Sequence, residues 1–171
     1  VFTALERCTV PTIAAITGAC TGGGAGIAAC CDMRVATRSL KFGFPIARTL
    51  GNCLSAATLE RLVRVMGEAR VIDLIYTSRL IEADEALRIG LVNELVDDHE
   101  AVIARSDALA RQIAGHAPLT MRATKELLRR LRQRPDEVND DDIVGMVYTS
   151  ADFREGLDAF LTKRKPNWQG R

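Results

Sequence analysis

Gly22, Gly23 and Gly24 are the residues whose type and spacing best suit chemistry; Gly18, Ala19, Cys20 and Thr21 lead to them, and Ala25 and Gly26 follow. Three consecutive glycines cost backbone entropy, and ordinary turn chemistry needs no such run. What the run permits is close approach of another group to bare N–H donors. The short β-branched stretch 12–16 before it has the pattern of a buried strand. The small-residue stretch 27–32 after it has the pattern of a helix packed close against a neighbour. Donors at a positive helix N-terminus make an anion or oxyanion site in outline.

Composition narrows the classes. A chain of 171 residues with 47% hydrophobic content suits one compact domain with a real core. Lys and Arg total 23 against 22 Asp and Glu, so a net charge of +1 offers no bulk field for nucleic acid or a membrane. Aromatic residues make up 5%, too few for a base-stacking surface. Cys8, Cys20, Cys30, Cys31 and Cys53 are odd in number, sit in apolar or small-residue surroundings and contain no C-x-x-C pair. Reduced, buried cysteines in a cytoplasmic compartment are expected. No apolar run approaches a membrane span, no signal peptide is visible, and no metal site is indicated.

The elements that must position the glycines alternate strand and helix, and then become helical. Residues 33–37 and 41–44 are strand candidates, and 45–54 form an irregular loop. Ser55 is placed to cap a helix over 56–66, whose Leu59, Leu62, Val63 and Met66 make one apolar stripe before Gly67. Helices over 68–77 and 83–89, a strand over 91–96, and helices over 100–115, 119–134, 136–148 and 152–163 complete the chain. Residues 2–7, directly after Val1, have the pattern of the end of an amphipathic helix, so a preceding part of the domain is expected to be absent.

The run Pro11-Thr12-Ile13-Ala14-Ala15-Ile16-Thr17-Gly18-Ala19-Cys20-Thr21-Gly22-Gly23-Gly24, continuing to Cys31-Asp32-Met33-Arg34-Val35-Ala36, resembles the signature segment of the enoyl-CoA hydratase/isomerase (crotonase) superfamily. Lys41-Phe42-Gly43-Phe44-Pro45, Arg61-Leu62 to Gly67, Ala83-Asp84-Glu85-Ala86 to Gly90-Leu91-Val92-Asn93, and Glu155-Gly156 to Pro166 keep that family's order. The resemblance covers nearly the whole chain, which looks like the C-terminal two-thirds of such a domain. It implies an α/β crotonase-like (ClpP/crotonase) fold. Residues 1–97 would belong to a spiral of ββα units. Residues 98–171 would form a C-terminal helical region for oligomerisation and coenzyme A contact.

The resemblance also implies a chemistry. Members bind acyl-CoA thioesters and polarise the thioester carbonyl with two backbone N–H groups, which stabilise a developing enolate oxygen more than the neutral carbonyl. Gly23 matches one donor, with Gly22 and Gly24 beside it; the second donor belongs to the N-terminal region. Hydratases of the family add two glutamates that hold water and deliver a proton. Their positions here are Gly26 and Ile46, neither of which titrates, so ordinary two-glutamate hydration is not expected.

Arg48, Asn52, Cys53 and Ser55 lie where the acyl group should be faced, as polar contacts, a nucleophile or a proton carrier. Each also has a plain structural reading: Ser55 as a helix cap, Cys53 as a small buried hydrophobe, Arg48 as a surface or phosphate contact. Cys20 is read as packing, and His99 and His116 as solvated. Phe160 and Lys163 match the family's contacts to CoA adenine and phosphate, against the reading of a solvated, dipole-complementing helix end. Arg129, Arg130, Arg132 and Arg134 wrap around a helix and are read as surface. No permanently bound cofactor is implied; coenzyme A enters as part of the substrate. The implied partners are an acyl-CoA thioester and further copies of the chain, as a homotrimer or hexamer. The competing function is a non-catalytic acyl-CoA-binding or subunit-interaction protein on the same scaffold.

Overall fold

The computed structural model describes residues 1–49, 51, 53–133 and 141–171. They form two compact units, Val1–Cys8 with Thr12–Leu109, and Thr9–Pro11 with Ala110–Arg171.

The first unit opens with helix α1 (Phe2–Glu6), then strands β1 (Ile13–Ile16) and β2 (Ala19–Thr21), helix α2 (Gly23–Cys30), and strands β3 (Met33–Thr37) and β4 (Lys41–Gly43). Each strand pair contributes one strand to each of two sheets. β1 pairs in parallel with β3, Ile13 opposite Met33, while β2 pairs in parallel with β4, Ala19 opposite Lys41. This is one turn of a ββα spiral stacked on the next, as the resemblance implied. Helices α3 (Ile46–Thr49), α4 (Ala56–Met66) and α5 (Glu68–Thr77) lead to β5 (Ile81–Glu82), which closes the second sheet against β4 in antiparallel register. After α6 (Ala83–Arg88), β6 (Glu94–Val96) joins β3 in parallel, giving sheet orders β1-β3-β6 and β2-β4-β5.

Burial on both faces explains why the strands carry no polar alternation: Arg34 through Thr37 are all buried in β3. Phe42 and Phe44 meet edge to face at 6.0 Å within a core that includes Leu62, Leu74, Ile81 and Leu91. Ser55 caps α4 by accepting from the Thr58 N–H at 3.3 Å. Leu62 and Met66 are buried on that helix, whereas Val63 lies at the solvent edge of the expected stripe. Gly67, at φ 84°, ends α4 and starts α5.

Several expected boundaries shift. The helix after the glycines starts at Gly23, not at residue 27, because the glycines themselves form its first turn. Residues 19–21 are a strand, and the loop 45–54 contains α3. Of the strand expected over 91–96 only Glu94–Val96 pairs. The Val92 and Asn93 amides instead donate to the Ala86 and Arg34 carbonyls.

Helix α7 (His99–Ala114) belongs to the first unit as far as Leu109, and the second unit contains α8 (Pro118–Gln133), α9 (Asp141–Tyr148) and α10 (Ala151–Thr162). The last residues fold back along α10. The buried Asp152 carboxylate accepts the Gln169 and Gly170 amides at 2.7 and 2.8 Å, and Trp168 packs on Gly156. Arg129 and Arg130 are partly exposed and ion-paired, Arg129 to Glu126 and Arg130 to Glu126 and Asp142. Arg134 lies outside the described residues.

Candidate active site

Gly22 makes the turn from β2 into α2. Its φ of 55° with ψ of −119° is a conformation that side chains disfavour. Its N–H donates to the Gly43 carbonyl at 3.1 Å and its carbonyl accepts from Gly26 at 3.0 Å. The next amides, those of Gly23 and Gly24, lie in the first helical turn, where no intrahelical acceptor exists. Among the described residues no acceptor takes either of them. A Cβ added at Gly22, Gly23 or Gly24 would meet nothing within 4 Å, so the space above the run is open. With no acidic residue in the first turn, the positive end of the helix dipole also faces that space uncompensated.

The far end of α2 is anchored with equal care. Arg34 is buried, and its guanidinium donates to the carbonyls of Leu91, Ala28 and Cys31. Two of those, the Ala28 and Cys31 carbonyls, lie at the C-terminus of α2, where a cation complements the dipole. Asp32 fixes the same corner by accepting from the N–H and hydroxyl of Thr12.

Position 26 is buried, and a Cβ there would lie 2.7 Å from Phe2 Cζ. Ile46 is 7% exposed and belongs to the core. Neither position carries a titratable group. Arg48 is exposed, with its own amide bound to the Ser78 hydroxyl at 3.2 Å. Cys53 is exposed, which corrects the expectation of a small buried hydrophobe; the loop before α4 turns it outward. The Ser55 hydroxyl is engaged as the α4 cap and by Thr58. Asn52 lies outside the described residues. Among the described residues no hydrogen bond joins Arg48, Cys53 or Ser55 to the glycine run. Cys20 is buried as expected, and burial pushes its thiol up to about 11.

Phe160 is 81% exposed and lines an apolar cavity of about 290 Å³ with Leu119, Val147, Phe153, Leu157 and Trp168. Lys163 is the left-handed cap residue of α10, exposed at φ 54°. His116 is exposed; His99 is exposed too, yet its Nδ1 lies 3.1 Å from the Thr17 hydroxyl, a contact across 82 positions that no local pattern signals. Sequence reasoning also missed the group around Phe2. Arg61 holds Glu6 with both arms and stands 5.9 Å from the Phe2 ring centroid. The available signal was the amphipathic pattern of residues 2–7, which names no partner.

The family described as enoyl-CoA hydratase/isomerase matches residues 1–171. A crotonyl-CoA hydratase of Syntrophomonas wolfei is 36% identical over 171 residues, covering 98% of this chain and 65% of that protein. A mitochondrial Delta(3,5)-Delta(2,4)-dienoyl-CoA isomerase of Dictyostelium discoideum is 31% identical, covering 95% and 56%. The crystal structure of an enoyl-CoA hydratase/carnithine racemase from Magnetospirillum magneticum superposes with a TM-score of 0.89 at 35% identity, covering 99% of this chain and 63% of that one. The chain thus spans a little under two-thirds of the length of these relatives.

Proposed function

The chain belongs to the enoyl-CoA hydratase/isomerase family, and we propose that its glycine run binds the thioester oxygen of an acyl-CoA and stabilises the enolate formed there. The observation that carries this reading is the pair of unclaimed amides at Gly23 and Gly24, opening onto free space while the Gly22 amide is committed to Gly43. Donors fixed in place before reaction need no reorganisation as negative charge grows, and each such donor is worth roughly 3 kcal/mol of barrier. Gly23 is the donor by resemblance. The same resemblance gives Phe160 and Lys163 to the CoA adenine and phosphate, and gives the C-terminal helices to subunit contact in a trimer or hexamer. Coenzyme A arrives and leaves with the substrate, with no permanently bound cofactor, in a reducing cytoplasmic setting suited to five free thiols.

The reaction itself is narrower than the family. With glycine at 26 and a core isoleucine at 46, water has no carboxylate at either position to activate it. Enolate chemistry such as isomerisation or carbon–carbon cleavage fits better than hydration: the oxyanion donors hold the enolate charge, and the exposed Cys53 thiol is the candidate carrier that takes the proton from carbon and returns it. Crotonyl-CoA and a saturated acyl-CoA, incubated with the protein in deuterated water, test this. α-Proton exchange without hydration is the expected result. Rapid hydration of crotonyl-CoA overturns the reading of Gly26 and Ile46. Tight binding with no exchange favours the non-catalytic acyl-CoA binder, which the absence of a carboxylate at both positions also suits.

A further inference from the structure

Position 26 is occupied from outside its own helix. A Cβ built on Gly26 would lie 2.7 Å from Phe2 Cζ, closer than a Cβ approaches its neighbours, and a tight 3.2 Å from Cε1. Gly26 follows Gly23 by three residues, so the two share a face of α2, and the ring rests on that face one turn along the helix from the unclaimed amide, with nothing within 4 Å of a Cβ at Gly23 itself. The ring is also backed. Arg61 stands over it at 5.9 Å, and both arms of that guanidinium are held by Glu6, four residues after Phe2 on α1. Arg64 approaches the same carboxylate at 3.7 Å. Making room at 26 therefore means moving a ring whose face is covered by a latched guanidinium.

We propose that Phe2 is the specificity-determining residue of the acyl position: seated on Gly26, it walls the site one turn along α2 from the Gly23 amide and penalises a side chain, an acid included, at position 26. This rests on the reading of Gly23 as the thioester-oxygen donor. Glycine at 26 is then half of a size-matched pair with Phe2 and not an isolated loss of a carboxylate. An acyl group entering beside Gly23 meets the edge and face of an aromatic ring. Flat, conjugated acyl groups stack well there, whereas branched saturated ones collide with it. Removing the ring should open the site to branched acyl groups, and a side chain at 26 should then close it again.

The test is a cycle of four proteins: the unchanged chain, Phe2→Ala, Gly26→Ala and the double variant. Each is measured for thermal unfolding and for affinity toward crotonyl-CoA and isovaleryl-CoA. Gly26→Ala alone should lower Tm by about 5 °C, the usual scale of overpacking, and should cost nothing when Phe2 is already alanine. Phe2→Ala should shift the isovaleryl to crotonyl affinity ratio about tenfold toward isovaleryl-CoA, the discrimination one or two methylenes give in an apolar pocket. The double variant should return part of that shift. If Phe2→Ala is too unstable to handle, Phe2→Leu gives the same comparison with a smaller opening. An equal Tm loss for Gly26→Ala in both backgrounds, or an unchanged affinity ratio without the ring, overturns the proposal. If the unchanged chain binds neither thioester, the Gly23 reading falls and takes the specificity role with it. The Tm cycle would still report the Phe2–Gly26 contact, so the two failures are told apart.

Discussion

The Gly22 amide donates to the Gly43 carbonyl at 3.1 Å, tying the start of α2 to the end of β4 and leaving the Gly23 amide as the first one without a partner. That bond holds only while Gly22 keeps its φ of 55° and ψ of −119°. Gly22→Ala places a Cβ in a conformation worth about 1–3 kcal/mol of strain, and relief of that strain rotates the following peptide. The expected result is a lower unfolding midpoint together with at least a tenfold loss of acyl-CoA-dependent α-proton exchange. Loss of stability with exchange intact would detach the glycine turn from the chemistry.

Gly24→Ala separates stability from function in the opposite direction. Gly24 sits in the first turn of α2, and a Cβ there meets nothing within 4 Å. Alanine is a better helix former than glycine by up to about 1 kcal/mol, so the variant should be slightly more stable. The methyl group projects into the space a ligand would fill, so affinity for an acyl-CoA should fall at the same time. Equal or improved binding, measured by calorimetry beside the thermal melt, would mean that no ligand approaches that surface.

How much of this was legible beforehand depended on whether the cause was local. The Ser55 cap is set by a side chain and an amide three residues apart, and it stands where the pattern placed it. The spiral followed from the ordered motifs of the resemblance, and it is present in the alternating pairing of β1 with β3 and β2 with β4. What stayed hidden is decided by distant partners. Residues 19–21 are too short and too small to announce a strand; only the neighbouring β4 makes them one. Cys53 looked like a buried hydrophobe from its type, but the loop before α4 faces it outward. Phe2 and Gly26 meet across 24 positions through tertiary packing, which neither periodicity nor composition encodes. For Gly23 the residue type was visible, whereas the commitment of Gly22 to Gly43, which leaves the Gly23 amide as the first unclaimed one, was not.

Acid should weaken the fold through its arginine-paired carboxylates, two of which lie in the second unit. The Arg164 guanidinium, joined by the Asn167 amide, holds the Glu155 carboxyl at about 2, and Arg129 with Arg130 holds Glu126 at about 2. Both values are depressed below the ordinary 4.5, so these groups contribute stability above about pH 4.5 and lose it as pH falls toward 2. The unfolding midpoint should therefore decline between pH 5 and pH 2, and less steeply in Glu155→Gln, which has no proton to take up. High salt should flatten both curves, because these pairs are partly solvated. An identical slope in Glu155→Gln at low salt would show that the Arg164 contact contributes nothing measurable.

The Glu6–Arg61 pair should behave as a latch on α1. Arg61's side chain is 8% exposed and Glu6's is 20% exposed, so removing the guanidinium leaves a largely buried carboxylate, with Arg64 at 3.7 Å. Arg61→Met should cost about 3 kcal/mol, at the lower end for a broken buried pair because Arg64 partly compensates. Glu6→Leu combined with Arg61→Met removes both charges, keeps apolar volume, and should recover most of that loss. Denaturant unfolding measures the free energies, and hydrogen exchange over α1 reports whether the helix comes away locally. The single variant should also loosen the Phe2 ring, since the cation above it is gone. If single and double variants lose equal stability, the cost lies in lost packing by the arginine stem, and the charge pairing is not what holds Phe2 against Gly26.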